Sequence, residues 1–193
     1  MHMMSDYINA IPNLSATEKA RLNYVISCII YEGSKLLLFF LFFGCIHKLD
    51  GFFYSLIILL PLRIISGGLH FKHYLSCLLF SFMYFYLVNI VLIPFKLPFG
   101  ISIIILSVCA ITNCKIGPIT SDSRPQLKVE VIRKGKLNIF IATCYEMILT
   151  ILFFDTAIST VGFWTIVLHT LQLIIANFRK KRGELHVQNV QTI

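Results

Sequence analysis

Six stretches of apolar side chains, each about 14–22 residues long and separated by short polar breaks, limit this 193-residue chain more than any other feature. They lie at about 25–46, 52–65, 75–93, 99–113, 137–154 and 157–178. A bilayer core about 30 Å thick is crossed by roughly 20 apolar residues in a helix, which bonds every backbone N–H and C=O within the segment. A soluble fold of this length would instead need a polar skin. Charged residues make up only 13% here, against 57% apolar; soluble domains run at about 25% and 45–50%. Composition therefore excludes a soluble enzyme, a disordered chain and a collagen-like chain. The expected fold class is all-α: a polytopic membrane helical bundle of about six transmembrane segments, forming one integral membrane domain over 1–193. The second stretch is the odd one. Its about 14 residues are short for a span, and it is read as tilted, re-entrant or broken at Pro61.

Charge sets the expected orientation. The chain carries 17 Lys and Arg against 9 Asp and Glu, a net +8. No RRM-like, zinc-finger or basic-zipper pattern accompanies that excess, so membrane lipids and topology are the expected partners of the charge, and nucleic acid is not. With six spans and both termini cytoplasmic, the inner side holds Lys19, Arg21, Arg63, Lys72, the six basic residues of a polar loop at 114–136, and Arg179, Lys180, Lys181 and Arg182 of a basic tail at 179–193. The outer side holds only Lys48 and Lys96. Residues 1–22 form a polar, amphipathic N-terminal segment in which Ser15 and Glu18 have capping-box spacing. Glu32 and Lys35 can pair across one helical turn. The opening residues lack the ordered regions of a cleavable signal peptide. The six cysteines contain no C-x-x-C pair and no disulfide framework is expected.

One segment of the oily sequence is dense in chemistry. Arg63, Gly67, Gly68, His70, Lys72, His73 and Cys77 fall within 15 residues. Ionisable groups at membrane depth are costly, which makes them functional candidates. Paired glycines break a helix and admit close backbone approach. A cysteine with a nearby histidine is the minimal kit for thiolate catalysis, the imidazole taking the thiol proton. Blander roles exist for each residue: Cys as a small packing side chain, His at the interface, Arg63 snorkelling to headgroups. The base is open on spacing alone. Along an uninterrupted helix Cys77 would meet His73 at i, i+4, while His70 would sit two turns, about 10 Å, away. A metal held by His70, His73 and Cys77 has no evident fourth ligand, so no metal and no cofactor is expected.

The pattern Arg63-x3-Gly67-Gly68-x-His70-x6-Cys77 resembles the signature of the accessory gene regulator protein B (AgrB) family, membrane-embedded cysteine endopeptidases of Gram-positive quorum sensing. The resemblance extends to chain length, the number of apolar runs, the basic C-terminal end, and the polar stretch Gly117-Pro118-Ile119 through Arg124-Pro125, similar to the family's A-P-A-x-x-x-x-K-P with Gly117 for the first Ala and Arg124 for Lys. It implies His70 as general base and Cys77 as nucleophile, in conflict with the simple helical pairing to His73. It further implies a Gram-positive cell membrane location with the active site on the cytoplasmic side, an AgrD-like precursor peptide as partner, and a homodimer as a possible assembly. The implied reaction removes the peptide's C-terminal tail through a Cys77 acyl-thioester, which an internal Cys or Ser then closes into a thiolactone or lactone. Arg63, Gly67, Gly68, Arg124, Lys128, Arg133, Lys134 and Lys136 are the candidate substrate-binding residues, the cations facing an acidic tail. Two other classes compete. A small transporter would line a path with Glu32, Lys35, Glu146 and Asp155, and a membrane sensor would need no catalytic group at all.

Overall fold

The computed structural model of the chain describes residues 15–69, 73–119, 129–153 and 156–191. Among the described residues, six helices are long and apolar enough to cross a membrane, and the chain is a multi-pass, all-α membrane protein. It divides into two compact units, Met1–His47 and Lys48–Ile193.

The first unit contributes helix α1, Ala16–Cys45. The expected capping box is present: the Glu18 amide donates to Ser15 Oγ (3.3 Å) and the Ser15 amide donates to Glu18 Oε2 (2.9 Å), satisfying donors that a helix start leaves open. Lys35 Nζ reaches Glu32 Oε1 at 2.7 Å, the pairing their spacing predicts.

The second unit is a bundle of α2 (Leu49–Ser66), α3 (Tyr74–Tyr86, continued by a π-helical turn Leu87–Val91), α4 (Phe99–Ile116), α5 (Val129–Leu152) and α6 (Ala157–Gln191). Its core joins Ile58 and Leu62 of α2, Leu106 and Cys109 of α4, and Phe163 and Ile166 of α6. The best-buried stretch lies in α6: 61% of its most apolar window is shielded, against 22–33% for α2 to α5. It is the hub on which the others lean. Large apolar side chains such as Ile57, Ile64, Leu79, Ile104 and Leu152 point outward; with lipid as solvent, that is where they belong.

Small and polar residues make the close contacts, as membrane bundles require. A Cβ on Gly162 of α6 would lie 2.7 Å from Thr150 Oγ1 of α5 and 2.9 Å from Ile58 Cδ1 of α2, so only glycine lets these three helices approach so closely. Asn89, buried in the π-turn, donates to Ser55 Oγ (3.2 Å) and to Phe85 O (3.0 Å). Tyr84 Oη donates to Thr165 O at 2.7 Å, tying α3 to α6.

Three expectations change. The second span is neither short nor broken. It begins at Leu49, because Leu49-Asp50-Gly51 forms its first turn, and it runs 18 residues with Pro61 inside; proline removes one N–H donor without ending this helix. The stretch 114–136 is not one loop, since α4 continues to Ile116 and α5 starts at Val129, placing Arg133, Lys134 and Lys136 on helix. Likewise Arg179 to Arg182 extend α6 rather than opening a polar tail. Lys, Arg and Glu are good helix formers, so hydropathy marks where a span leaves the lipid, not where its helix stops.

Candidate active site

At one end of the bundle two distant pieces of backbone meet. Helix α2 ends when the Gly67 amide donates to Arg63 O (3.0 Å) and Gly67 takes φ 75°, ψ −140°, a conformation that L side chains avoid. A Cβ there would also strike the carbonyl oxygen of Ile119. Gly68 follows with φ 155°, buried against Gln172 of α6. The Ile119 amide donates to Ser66 O at 2.9 Å, and Gly67 and Ile119 form an isolated parallel bridge. Non-helical backbone at the end of a span needs protein partners for its polar groups, and here the Ile119 amide finds one in Ser66 O.

The Ile119 side of this meeting is clamped as well. Gly117 closes α4 with φ 76°, its amide bonded to Asn113 O, and the aliphatic stem of Lys136 lies where a Cβ on Gly117 would go. Pro118 packs against Gly135 in the same way. The structure thus gathers Arg63, Gly67, Gly68 and Lys136 around one turn. Arg133 and Lys134 are exposed on the first turns of α5. Arg124 and Lys128 lie outside the described residues, as do His70, Lys72 and Asp155.

Cys77 sits half-buried on the first turn of α3, its amide bonded to His73 O at 3.2 Å, and it belongs to no disulfide. His73 is the exposed residue that precedes the helix, with φ −104° and ψ 136°. This removes the spacing objection to His70: that objection assumed continuous helix from 70 to 77, and α3 begins only at Tyr74. Neither histidine is thereby chosen.

Residues that spacing did not single out stand behind the glycine turn. His169 and Gln172 of α6, 1% and 4% exposed, face α2's end. His169 Nε2 lies 2.9 Å from Ser66 Oγ. The Ser66 hydroxyl donates to Leu62 O at 2.6 Å; having one proton, it receives the imidazole's Nε2–H. Among the described residues, Nδ1 of His169 and Nε2 of Gln172 have no partner. The signal was available in the sequence, since Thr165, His169, Gln172 and Ala176 recur at helical spacing within the last apolar run.

Comparison with known proteins bears on this arrangement. The family model described as accessory gene regulator B matches residues 1–173. The chain belongs to the accessory gene regulator B family. It is also similar to an AgrB-like protein of Clostridium beijerinckii, 35% identical over 75 residues, which are 39% of this chain and 38% of that protein. The chain therefore spans well under half of that relative's length in the matched region. No solved structure matches the chain. In this chain Gly67 and Ile119 bring the glycine pair and the polar stretch after α4 into contact.

Proposed function

We propose that this AgrB-family chain is a membrane cysteine endopeptidase that trims and cyclises an AgrD-like precursor peptide. The meeting of Gly67 with Ile119 carries the reading: it joins the glycine turn that leads toward His70 and Cys77 to the basic start of α5. In the proposed reaction Cys77 Sγ, its proton taken by His70, attacks the carbonyl carbon before the peptide's tail. The C–N bond breaks, the tail leaves as an amine carrying the proton from His70, and an acyl-thioester remains. An internal thiol or hydroxyl of the peptide, its proton taken by His70, then attacks that thioester, Cys77 leaves as thiolate, and the ring closes as a thiolactone or lactone. With a thiol, one thioester replaces another, so the step needs proximity and exclusion of water rather than a large driving force. Arg63, Arg133, Lys134 and Lys136, with Arg124 and Lys128, supply cations suited to an acidic tail, and the basic-residue bias assigns this end to the cytoplasm.

Substitution of the dyad tests the reading. Cys77→Ala abolishes cleavage and cyclisation of precursor by membranes holding normal amounts of protein, and Cys77→Ser is nearly as inactive. His70→Ala matches Cys77→Ala, and the double variant is no worse, because nucleophile and base act as a unit. His73→Ala retains activity. A Cys77→Ala protein that still cuts precursor refutes the peptidase reading. Loss in His73→Ala with activity in His70→Ala reassigns the base.

One observation favours a second reading, transport. Glu146 of α5 is buried within its span, and among the described residues its Oε2 has no hydrogen-bond partner. A carrier would keep moving peptide across the bilayer in Cys77→Ala; a peptidase alone would not.

A further inference from the structure

We infer that His169 and Gln172 are positioning residues for the glycine turn, and that the His169 imidazole, bonded to Ser66, sets the direction in which the chain leaves α2 toward the proposed base. The inference rests on the peptidase reading. Three observations carry it. First, the Ser66–His169 bond joins residues 103 apart in sequence, and it falls on the last helical residue before Gly67. Second, Gln172 lies one turn further along the same face of α6, and its Nε2 is 3.3 Å from where a Cβ on Gly68 would be. Two consecutive contacts from one helix therefore back two residues of the turn, Ser66 and Gly68. Third, both side chains are more than nine-tenths buried, yet among the described residues each leaves one polar atom without a partner, Nδ1 on His169 and Nε2 on Gln172. Burying an unpaired polar group costs about 1–3 kcal/mol. A leucine or methionine at either position would fill the space without that cost, so packing alone does not explain these residue types.

The chemistry suits rigidity rather than proton transfer. Ser66 gives its only proton to Leu62 O, so its lone pair must accept from Nε2–H. That single tautomer holds the ring, and through it the Ser66 carbonyl that receives the Ile119 amide. Covalent geometry transmits the effect. His70 is two residues beyond Gly68, and n residues reach at most about 3.6 Å each. An error in the direction of the turn therefore displaces the base by an amount comparable with a hydrogen bond's tolerance. A displacement of about 1 Å at a reacting group costs on the order of 100-fold in rate.

The test uses full-length protein in lipid nanodiscs, with a synthetic precursor peptide and separate measurement of kcat and KM. His169→Leu is expected to lower kcat by roughly 10–100-fold with KM within about twofold, because the buried pair does not meet the acidic tail. His169→Gln, whose amide N–H can replace Nε2–H, restores kcat to within about fivefold of wild type. Should His169→Leu fail to accumulate, Ser66→Ala removes the same bond from the other side. It is expected to give the same fall in kcat, with no further loss in Ser66→Ala/His169→Leu if that double variant folds. Gln172→Leu lowers kcat in the same direction. Wild-type kcat in His169→Leu or Ser66→Ala overturns the inference, as does equal loss in His169→Leu and His169→Gln at equal protein levels. Failure of wild-type protein to process the precursor at all counts instead against the peptidase reading.

Discussion

Gly67→Ala offers the most direct probe of the turn on which the proposed chemistry depends. Alanine at φ 75°, ψ −140° occupies backbone space that is nearly glycine-only, at a cost of about 1–3 kcal/mol. Its Cβ would also strike the Ile119 carbonyl, so the two segments must separate, and the Ile119 amide bond to Ser66 O goes with them, a further ~0.5–1.5 kcal/mol. Together these give about 1.5–4.5 kcal/mol, or roughly 10- to 2,000-fold in the equilibrium between closed and open turn. The assay is hydrogen exchange of the peptide containing Ile119 in nanodiscs, read beside precursor processing. Exchange at Ile119 should accelerate by about that factor and processing should fall. Gly100→Ala is the control: nothing lies within 4 Å of its added methyl, so in helix α4 it should be neutral or stabilising by up to about 1 kcal/mol. If Gly67→Ala keeps slow exchange at Ile119 and full processing, the turn is not the rigid element described here.

Two further outcomes are expected. Ser123→Cys, within the basic stretch, should be labelled by an impermeant thiol reagent only in inside-out membranes; labelling in intact cells reverses the topology. Gly162→Val should lower the unfolding temperature in detergent by several degrees, since its added carbons meet Thr150 and Ile58 where a Cβ already approaches to 2.7–2.9 Å and overpacking costs about 1–3 kcal/mol; an unchanged melt shows that α2, α5 and α6 can move apart freely.

Much of the fold is a local property and could be read directly. Whether a stretch such as Phe99–Ile116 prefers lipid depends on its own side chains, and in lipid a lone segment must be helical to bond its backbone. Six spans, the Ser15–Glu18 cap and the Glu32–Lys35 pair followed from spacing alone. The ends of α2, α4, α5 and α6 did not, because hydropathy marks where a stretch stops being apolar and not where its backbone hydrogen bonding stops. The density of Arg63, Gly67, Gly68 and Cys77 was likewise visible as costly polar residues in an oily context.

Tertiary structure decided what those residues touch. Nothing local to Gly67 names Ile119 as the carbonyl it must clear, and nothing local to Ser66 names His169. Those contacts join segments 52 and 103 residues apart, and they exist because α6 packs along α2 while the chain leaving α4 turns back across α2's end. Periodicity within a segment reports the face a residue occupies; its partner is set by how separate helices pack, through close approaches that only glycine allows and buried polar groups that only a distant side chain can satisfy.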